Sequence, residues 1–542
     1  MDFPACFDTH EVSNQSPPLE NINLYDSDLP LRESVNANGG ATEAAALSAF
    51  GQRWGSAAML ALGREANENP PKLHAFDAKG LRRDAIEFHP AYHRLLAESV
   101  AAGLHSSTWS DDGERAAAPA EVVRAARFYM AAQVETGHLC PVTMTRAALA
   151  GLAAEPALAR KLAPKMLSRN YDGEFRPWWE KAGITLGMGM TEKQGGTDVR
   201  ANTTTATPAG EGYFLVGHKW FLSAPMSDAF LVLAQAPGGL SCFLMPRFRP
   251  DGSVNALRIQ RLKDKLGNRS NASCEVEFAG AFAWRVGGEG EGIRTILRMV
   301  QMTRVDCAIA SAGLMRMALI QALHHCRHRT VFQKRLSEQP MMRAVLAELA
   351  LEVEGAIALV MRLARAFDNA GKDPREAAYA RLITPAAKYW ICKRAPAFIY
   401  EAMECLGGNA YVEESALPRL YREAPVNAIW EGSGNVMGLD VLRALKQEPE
   451  AAVAGSLARE LSVKLDDDNT GLVATDEGDA RALTERIALL ASAVALKASA
   501  PAVVTEAFIR ARLDQPRGVL YGSARIDPTV MELLLQRALP ET

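Results

Sequence analysis

The chain is 542 residues long, 48% of them hydrophobic and 23% charged, with a formal net charge of −3. That length exceeds one ordinary core and predicts several domains. The near-neutral balance excludes a global electrostatic pull toward nucleic acid or anionic membrane. The eight cysteines (Cys6, Cys140, Cys242, Cys274, Cys307, Cys326, Cys392 and Cys405) form no CxxC pair, so they read as reduced, buried thiols rather than a disulfide frame or metal cluster. The opening MDFPACFDTHEVSNQ lacks a signal-peptide pattern, and no uncharged apolar run reaches the roughly 18 residues of a membrane span. A soluble, cytoplasmic protein with no membrane partner is expected.

Residues 1–40 form a polar arm punctuated by Pro and Asn, in which Leu24 and Tyr25 favour docking. Residues 41–185 are Ala/Leu-rich at helical spacing and predict a helical domain. Over 186–288 the character changes. GYFLVGHKWFLS (Gly212–Ser223), AFLVLAQA (Ala229–Ala236), SCFLMPRF (Ser241–Phe248) and ASCEVEF (Ala272–Phe278) read as strands with no intervening helix, hence an antiparallel sheet or small barrel. Helices return over 289–444. Ile293, Ile296, Leu297 and Val300 share one face, and Asp373-Pro374-Arg375-Glu376 opens a later helix, so a four-helix bundle is expected. Residues 445–542 read as a further helical extension. The fold class is α+β and mostly helical.

Two stretches carry chemistry. GMGMTEKQGGTDV (Gly187–Val199) sets glycines beside Thr191 and Thr197, a composition that lets backbone N–H groups approach a phosphate or a polar ring edge. The dinucleotide fingerprint fails, because this loop leads into a strand rather than a helix, and a plain interdomain loop is the competing reading. Downstream, KWFLS (Lys219–Ser223) ends a strand with aromatics and a hydroxyl, suited to a flat heterocycle or simply to a core. Arg329 in RTVF stands at a helix C-terminus, where arginine serves either the dipole or a phosphate. The second stretch is AIWEGSGN (Ala428–Asn435), a lone carboxylate between a large aromatic and a glycine-rich turn.

The order GMGMTEKQGGTD, KWFLS, KLGNRSNASCEVEF, RTVF and CLGGNAYVEESALPRLYREAPVNAIWEGSGN resembles the acyl-CoA dehydrogenase flavoprotein family over residues 90–445. SNQSPPLENINLY, NPPKLHAFD and the C-terminal extension resemble its AidB-like branch, the alkylation adaptive-response proteins. The resemblance implies FAD between sheet and bundle. By carry-over, Met188, Gly189, Met190, Thr191, Glu192, Gly195, Gly196 and Thr197 line the isoalloxazine, Thr197 also lying near substrate. Phe221, Leu222 and Ser223 match the triplet that packs on and bonds the flavin. Ile429 and Trp430 border it, and Gly432, Ser433, Gly434 and Asn435 hold the nucleotide part. Arg329, Phe332, Gly407 and Gly408 match positions that reach the FAD of a neighbouring subunit, which implies a homotetramer.

Glu431 matches the family's catalytic base, which removes the α-proton of an acyl thioester while the β-hydrogen leaves as hydride. An exposed glutamate, with a pKa of about 4.3, is too weak a base, so burial against Trp430 and flavin is expected to raise it. Arg304 matches an arginine near the CoA tail or flavin cleft, a structural salt bridge being the other use. The implied activity is α,β-dehydrogenation of an acyl thioester, a short branched one such as isovaleryl-CoA among the candidates. Gln333 in place of glycine, Gln301 in place of an acidic CoA-binding residue, and Asn409-Ala410 depart from the family pattern. The alternative is a flavoprotein that binds double-stranded DNA through the extension and protects it from alkylating agents. That extension holds eleven Lys/Arg against fifteen Asp/Glu, a net of −4, with Arg510, Arg512, Arg517 and Arg525 clustered near its end.

Overall fold

The computed structural model describes residues 9–110, 115–461, 476–514 and 518–540; Cys6, Arg517 and the acidic run 466–475 lie outside them. The arm is not loop throughout. Leu24 and Tyr25 are buried, and helix α1 (Leu29–Ala37) forms behind the N-cap Asp28. Asp28 is itself buried, accepting from the Leu31 N–H, the Tyr129 hydroxyl and Arg316 Nε at 3.0–3.1 Å. Burying a carboxylate requires such partners. A nine-residue helix gains little from propensity, so docking stabilises it and the polar text around it conceals it.

Helices α2 (Ala44–Trp54), α3 (Ala57–Glu68), α4 (Pro90–Ala101), α5 (Ala120–Val134), α6 (Leu139–Leu152) and α7 (Pro156–Met166) build the N-terminal layer. The expectation of an all-helical 41–185 omits a hairpin, β1 (Lys72–Phe76) and β2 (Arg82–Glu87). Its turn is set by Asp77, whose Oδ1 accepts from the N–H of Lys79 (2.8 Å) and Leu81 (2.9 Å).

The middle domain contains β3 (Leu186–Gly189), β4 (Thr205–Ala209), β5 (Gly212–Ser223), β6 (Ala229–Ala236), β7 (Gly239–Pro246), β8 (Leu257–Leu262) and β9 (Ser273–Val286). The circuit β6–β4–β5–β9–β7–β6 closes into a small barrel, with β8 flanking β9. The barrel is mostly antiparallel, but β3 and β4 both meet β6 in parallel. Tandem burial of β6, from Ala229 to Ala234, follows from its three neighbours.

The bundle comprises α8 (Gly292–His328), α9 (Pro340–Asn369), α10 (Pro374–Leu406), α11 (Leu417–Ile429) and α12 (Gly434–Leu445), with a short hairpin, β10 (Thr330–Val331) and β11 (Lys334–Arg335), after α8. Asp373 caps α10 as its sequence predicts. Helix α8 is long and apolar enough to cross a membrane, but 94% of that stretch is buried in the protein, as befits a central core helix. The extension, α13 (Glu448–Glu460), α14 (Ala480–Ser499), α15 (Ala502–Ile509) and α16 (Pro528–Ala538), packs onto the bundle. Buried ion pairs fasten it to α9. Arg512 meets Glu348 (3.0 Å) and Glu352 (2.6 Å), and Arg537 meets Glu354 (2.6 Å) as well as the partly exposed Glu33 of α1 (2.7 Å). Arg512 therefore leaves the surface cluster that the sequence suggested; Arg510 and Arg525 remain exposed.

Candidate active site

Glu431 sits in the turn between α11 and α12 with φ +58°, followed by Gly432 at φ +104°. A non-glycine residue in the left-handed region costs roughly 1–3 kcal/mol and persists only where its surroundings impose it. Two cations do so here. Arg304 Nε on α8 donates to the Glu431 carbonyl (2.9 Å), and Lys388 Nζ on α10 donates to the Gly432 carbonyl (2.7 Å). Both side chains are buried. Arg304 also pairs with Asp440 on α12 (2.7 Å), which Arg381 holds from the other side (2.8 Å). Of the two uses expected for Arg304, the structural salt bridge is the one its Nη1 makes, while its Nε braces the turn. The Glu431 carboxylate accepts from Thr303 Oγ1 (2.7 Å), and Trp430 is fixed by its Nε1–H donating to Asn427 Oδ1 (3.0 Å). Burial raises the Glu431 pKa above the ordinary carboxylate value; Thr303, Arg304 and Lys388 only partly offset it.

Across the cleft, Ser223 ends β5, its Oγ 3.0 Å from Ser273 Oγ. Lys265 Nζ donates to Ser273 Oγ (3.0 Å) and to the Asn271 carbonyl (2.7 Å), and burial lowers its pKa to about 8. Cys140, in the first turn of α6, ties the two sides together. Burial pushes its thiol up to about 11; the charge of Glu431 acts on it in the same sense, while Lys265, Asn271 and Ser223 beside it oppose the rise. Phe221 is half exposed beside Ser223, while Leu222 turns into the barrel core.

The glycine-rich loop is stapled from below. Glu192 pairs with Lys219 (2.8 Å) and accepts from the N–H of Thr203 (2.7 Å) and Thr204 (3.2 Å). Burial opposes its ionisation, yet these partners hold it at about 2. Its side chain therefore fixes the loop from inside rather than facing the cleft. The Trp220 N–H donates to the Thr191 carbonyl (2.8 Å), joining loop to strand. Met188, Met190 and Thr191 are partly buried; Gly195, Gly196 and Thr197 are exposed. Gly189 is required by close approach, since a Cβ there would lie 2.7 Å from Leu222 Cδ1.

At the start of α12, Ser433 makes no side-chain cap, and Ser433 and Asn435 are exposed, so first-turn N–H groups face outward. A Cβ on Gly434 would lie 3.0 Å from Arg481 Nη2 and 3.4 Å from Lys393 Cδ. Both cations flank the Tyr389 ring, at 5.9 and 5.8 Å from its centroid. Two cations at a helix N-terminus suit a diphosphate, so the residues here fit an FAD. Sequence reasoning did not single out Lys393 or Arg481. They come from α10 and α14 with no local motif, and only the fold brings them to Gly434.

Four expected residues are not brought to this cleft within one chain. Arg329 and Phe332 follow the far end of α8, roughly 40 Å along the axis from Thr303. Arg329 Nη1 donates to the Asn14 carbonyl (2.7 Å), and Phe332 is 91% exposed. Phe332 and Gln333 form the β10–β11 turn at φ +52° and +63°, so Gln333 adopts the conformation that glycine would favour. Gly407, at φ +63°, and Gly408 are exposed with open space around them. Ile429 is exposed as well.

Three family models match in order: the N-terminal domain of the adaptive response protein AidB over residues 14–173, the acyl-CoA dehydrogenase middle domain over 187–281, and the acyl-CoA dehydrogenase C-terminal domain over 290–446. AidB of Escherichia coli (strain K12) is 55% identical over 442 residues, 81% of each chain. The chain belongs to the AidB branch of the acyl-CoA dehydrogenase family. Another acyl-CoA dehydrogenase relative, family member 11 of Caenorhabditis elegans, is 33% identical over 416 residues, 74% of this chain and 66% of that one. Among solved structures, the apo form of Bd2924 superposes with a TM-score of 0.82 at 28% identity, covering 89% of this chain and 99% of that one. The Caenorhabditis elegans ACDH-11 structure, in complex with C11-CoA, gives 0.81 at 27% identity, covering 98% and 93%. In this acyl-CoA dehydrogenase framework, Glu431 occupies the turn that joins the last two bundle helices.

Proposed function

We propose that this chain is an FAD-dependent acyl thioester dehydrogenase in which Glu431 takes the α-proton. One observation carries the reading. A carboxylate is held in a disfavoured backbone conformation by two buried cations while burial raises its proton affinity. Surroundings that impose strain and shift a pKa together mark a group positioned for proton transfer. Bound FAD supplies the hydride acceptor for the β-hydrogen. The protein's residues do the rest. Thr303 orients the Glu431 carboxylate, Arg304 and Lys388 fix the backbone of its turn, and the Glu431 N–H would polarise a thioester carbonyl. Arg481, Lys393 and the α12 N-terminus serve the diphosphate, and Phe221 to Ser223 with the Met188–Thr197 loop border the ring.

The C11-CoA bound by the Caenorhabditis elegans neighbour supports acyl-CoA as the substrate class; short branched chains such as isovaleryl-CoA belong to the panel that tests it. A homotetramer is part of the proposal, since Arg329, Phe332, Gly407 and Gly408 meet a flavin only if another copy brings it. We place the protein in the cytoplasm. Duplex DNA binding by the extension has weaker support, because Arg512 and Arg537 are buried in ion pairs. The test is anaerobic titration of the flavin-loaded protein with an acyl-CoA panel. Bleaching by at least one saturated acyl-CoA is expected; none across straight and branched chains would sink the reading.

A further inference from the structure

A half-open cavity of about 390 Å³ lies between β2, α4, the 171–185 segment and the turn after β5. Its size falls within the roughly 300–1,000 Å³ of small-molecule sites. None of the residues that brace Glu431 lines it. Three features define its occupant. The lining is aromatic: Phe88 stacks on Tyr92 (4.4 Å, 14°), His93 stands edge-on to Phe88 (5.8 Å, 76°), and Tyr171 and Phe175 complete the set. Such surfaces favour a planar ring over a flexible aliphatic chain.

The charges buried in its wall are already neutralised. Lys181 pairs with Asp228 (2.7 Å), and the Thr185 hydroxyl donates to Ser227 Oγ (3.4 Å). Arg83, the lining's other cation, is exposed to solvent, so a phosphate or carboxylate held deep in the cavity would find only the already paired Lys181, and an uncharged ligand is favoured there. The imidazole of His93, also in the lining, is available to orient it. His93 Nδ1 is bonded to the Tyr171 hydroxyl (2.7 Å), and burial lowers the His93 pKa, leaving the ring neutral. In the tautomer in which the phenol donates to Nδ1, the ring proton resides on Nε2, a donor for a carbonyl oxygen.

We propose that this cavity binds an uncharged, planar, carbonyl-bearing ring of the quinone class, stacked on the Phe88–Tyr92 aromatics with a carbonyl accepting from His93. Ala224 directly follows Ser223, and Pro141 directly follows Cys140, so the cavity backs onto the wall that Ser223 and Cys140 form in the cleft. Its role, unlike the binding, rests on the flavin reading above. A quinone here takes two electrons and two protons to become the hydroquinone, which balances the return of the two-electron-reduced cofactor to its oxidised form.

The experiment is calorimetric titration of the flavin-loaded protein with menadione, an uncharged naphthoquinone, and with a sulfonated naphthoquinone for comparison. Saturable binding of menadione is expected, weakened about tenfold in His93→Leu and in Phe88→Ala, in line with one lost hydrogen bond or ring contact. His93→Gln, which keeps a donor, should retain most of it, and the sulfonate should bind worse. Glu431→Gln should bind menadione as the wild type does. Visible absorbance of FAD, read in every sample, separates the two readings: menadione binding without FAD upholds the cavity and defeats the flavin site. Absence of saturable binding, binding unchanged in both His93→Leu and Phe88→Ala, or displacement of menadione by an acyl-CoA would overturn the proposal.

Discussion

Burial makes Glu431 more basic, and Thr303 is the first group that tempers it. Its hydroxyl stabilises the ionised carboxylate from 2.7 Å, against a burial that favours the protonated form. The sign of its removal follows: in Thr303→Val the Glu431 pKa rises further. Proton abstraction needs the carboxylate, so the rate of flavin reduction by an acyl-CoA climbs as pH rises through that pKa. The acid limb of the pH profile should move to higher pH in Thr303→Val, and an unmoved limb would contradict this account. Glu431 was legible in the sequence because WEGSGN places it beside a glycine turn. Thr303, 128 residues away, and Lys388 were not, since α8, α10 and the α11–α12 turn meet only in the fold. Arg304 was legible as a residue, with a structural salt bridge as one of its two uses, but nothing local shows Asp440 as its partner.

At the scale of elements, the extension is tied to α9 by buried charge as well as by apolar packing. Burial alone would push the Glu352 carboxyl up, yet Arg512 and Arg394 hold it at about 2. Removing one partner of a buried pair strands the other, so Glu352→Gln should destabilise the fold by about 3–5 kcal/mol. Urea unfolding monitored by circular dichroism checks it, and a change within error would contradict the role given to the pair. Glu135 and Glu192 are likewise held at about 2. Carboxyls lowered in the folded state contribute stability above their unfolded pKa, near 4.5, and that stability fades as pH falls from there toward about 2. Acid unfolding should fall in that window. Strand and helix periodicity made β5, β6, α8 and α10 legible, since long patterned runs carry their own signal. Helix α1 and the β1–β2 hairpin escaped because they are short and owe their form to docking: Asp28 on Arg316, and Asp84 on the Ile259 N–H at 2.9 Å.

For the whole molecule, α8 sets the decisive length. It holds Thr303 toward one end and leads to Arg329 and Phe332 at the other, roughly 40 Å away, so one chain presents Glu431 here and the exposed Phe332 hairpin there. Phe332 at 91%, Met341 at 85% and Tyr411 at 83% exposure are large apolar groups that an assembly would cover. Phe332→Asp is expected to shift sedimentation from about four times the 58.6 kDa chain mass toward smaller species and to lower the FAD content. A wild-type monomer with full FAD would contradict the shared site. The most direct measurement of the central claim compares wild type and Glu431→Gln, both loaded with FAD, under anaerobic titration with the acyl-CoA that best bleaches the wild type. Glu431→Gln is expected to retain its FAD and to bleach about 10²–10⁴-fold more slowly, the usual contribution of a positioned general base. Bleaching at the wild-type rate would show that Glu431 is not the base.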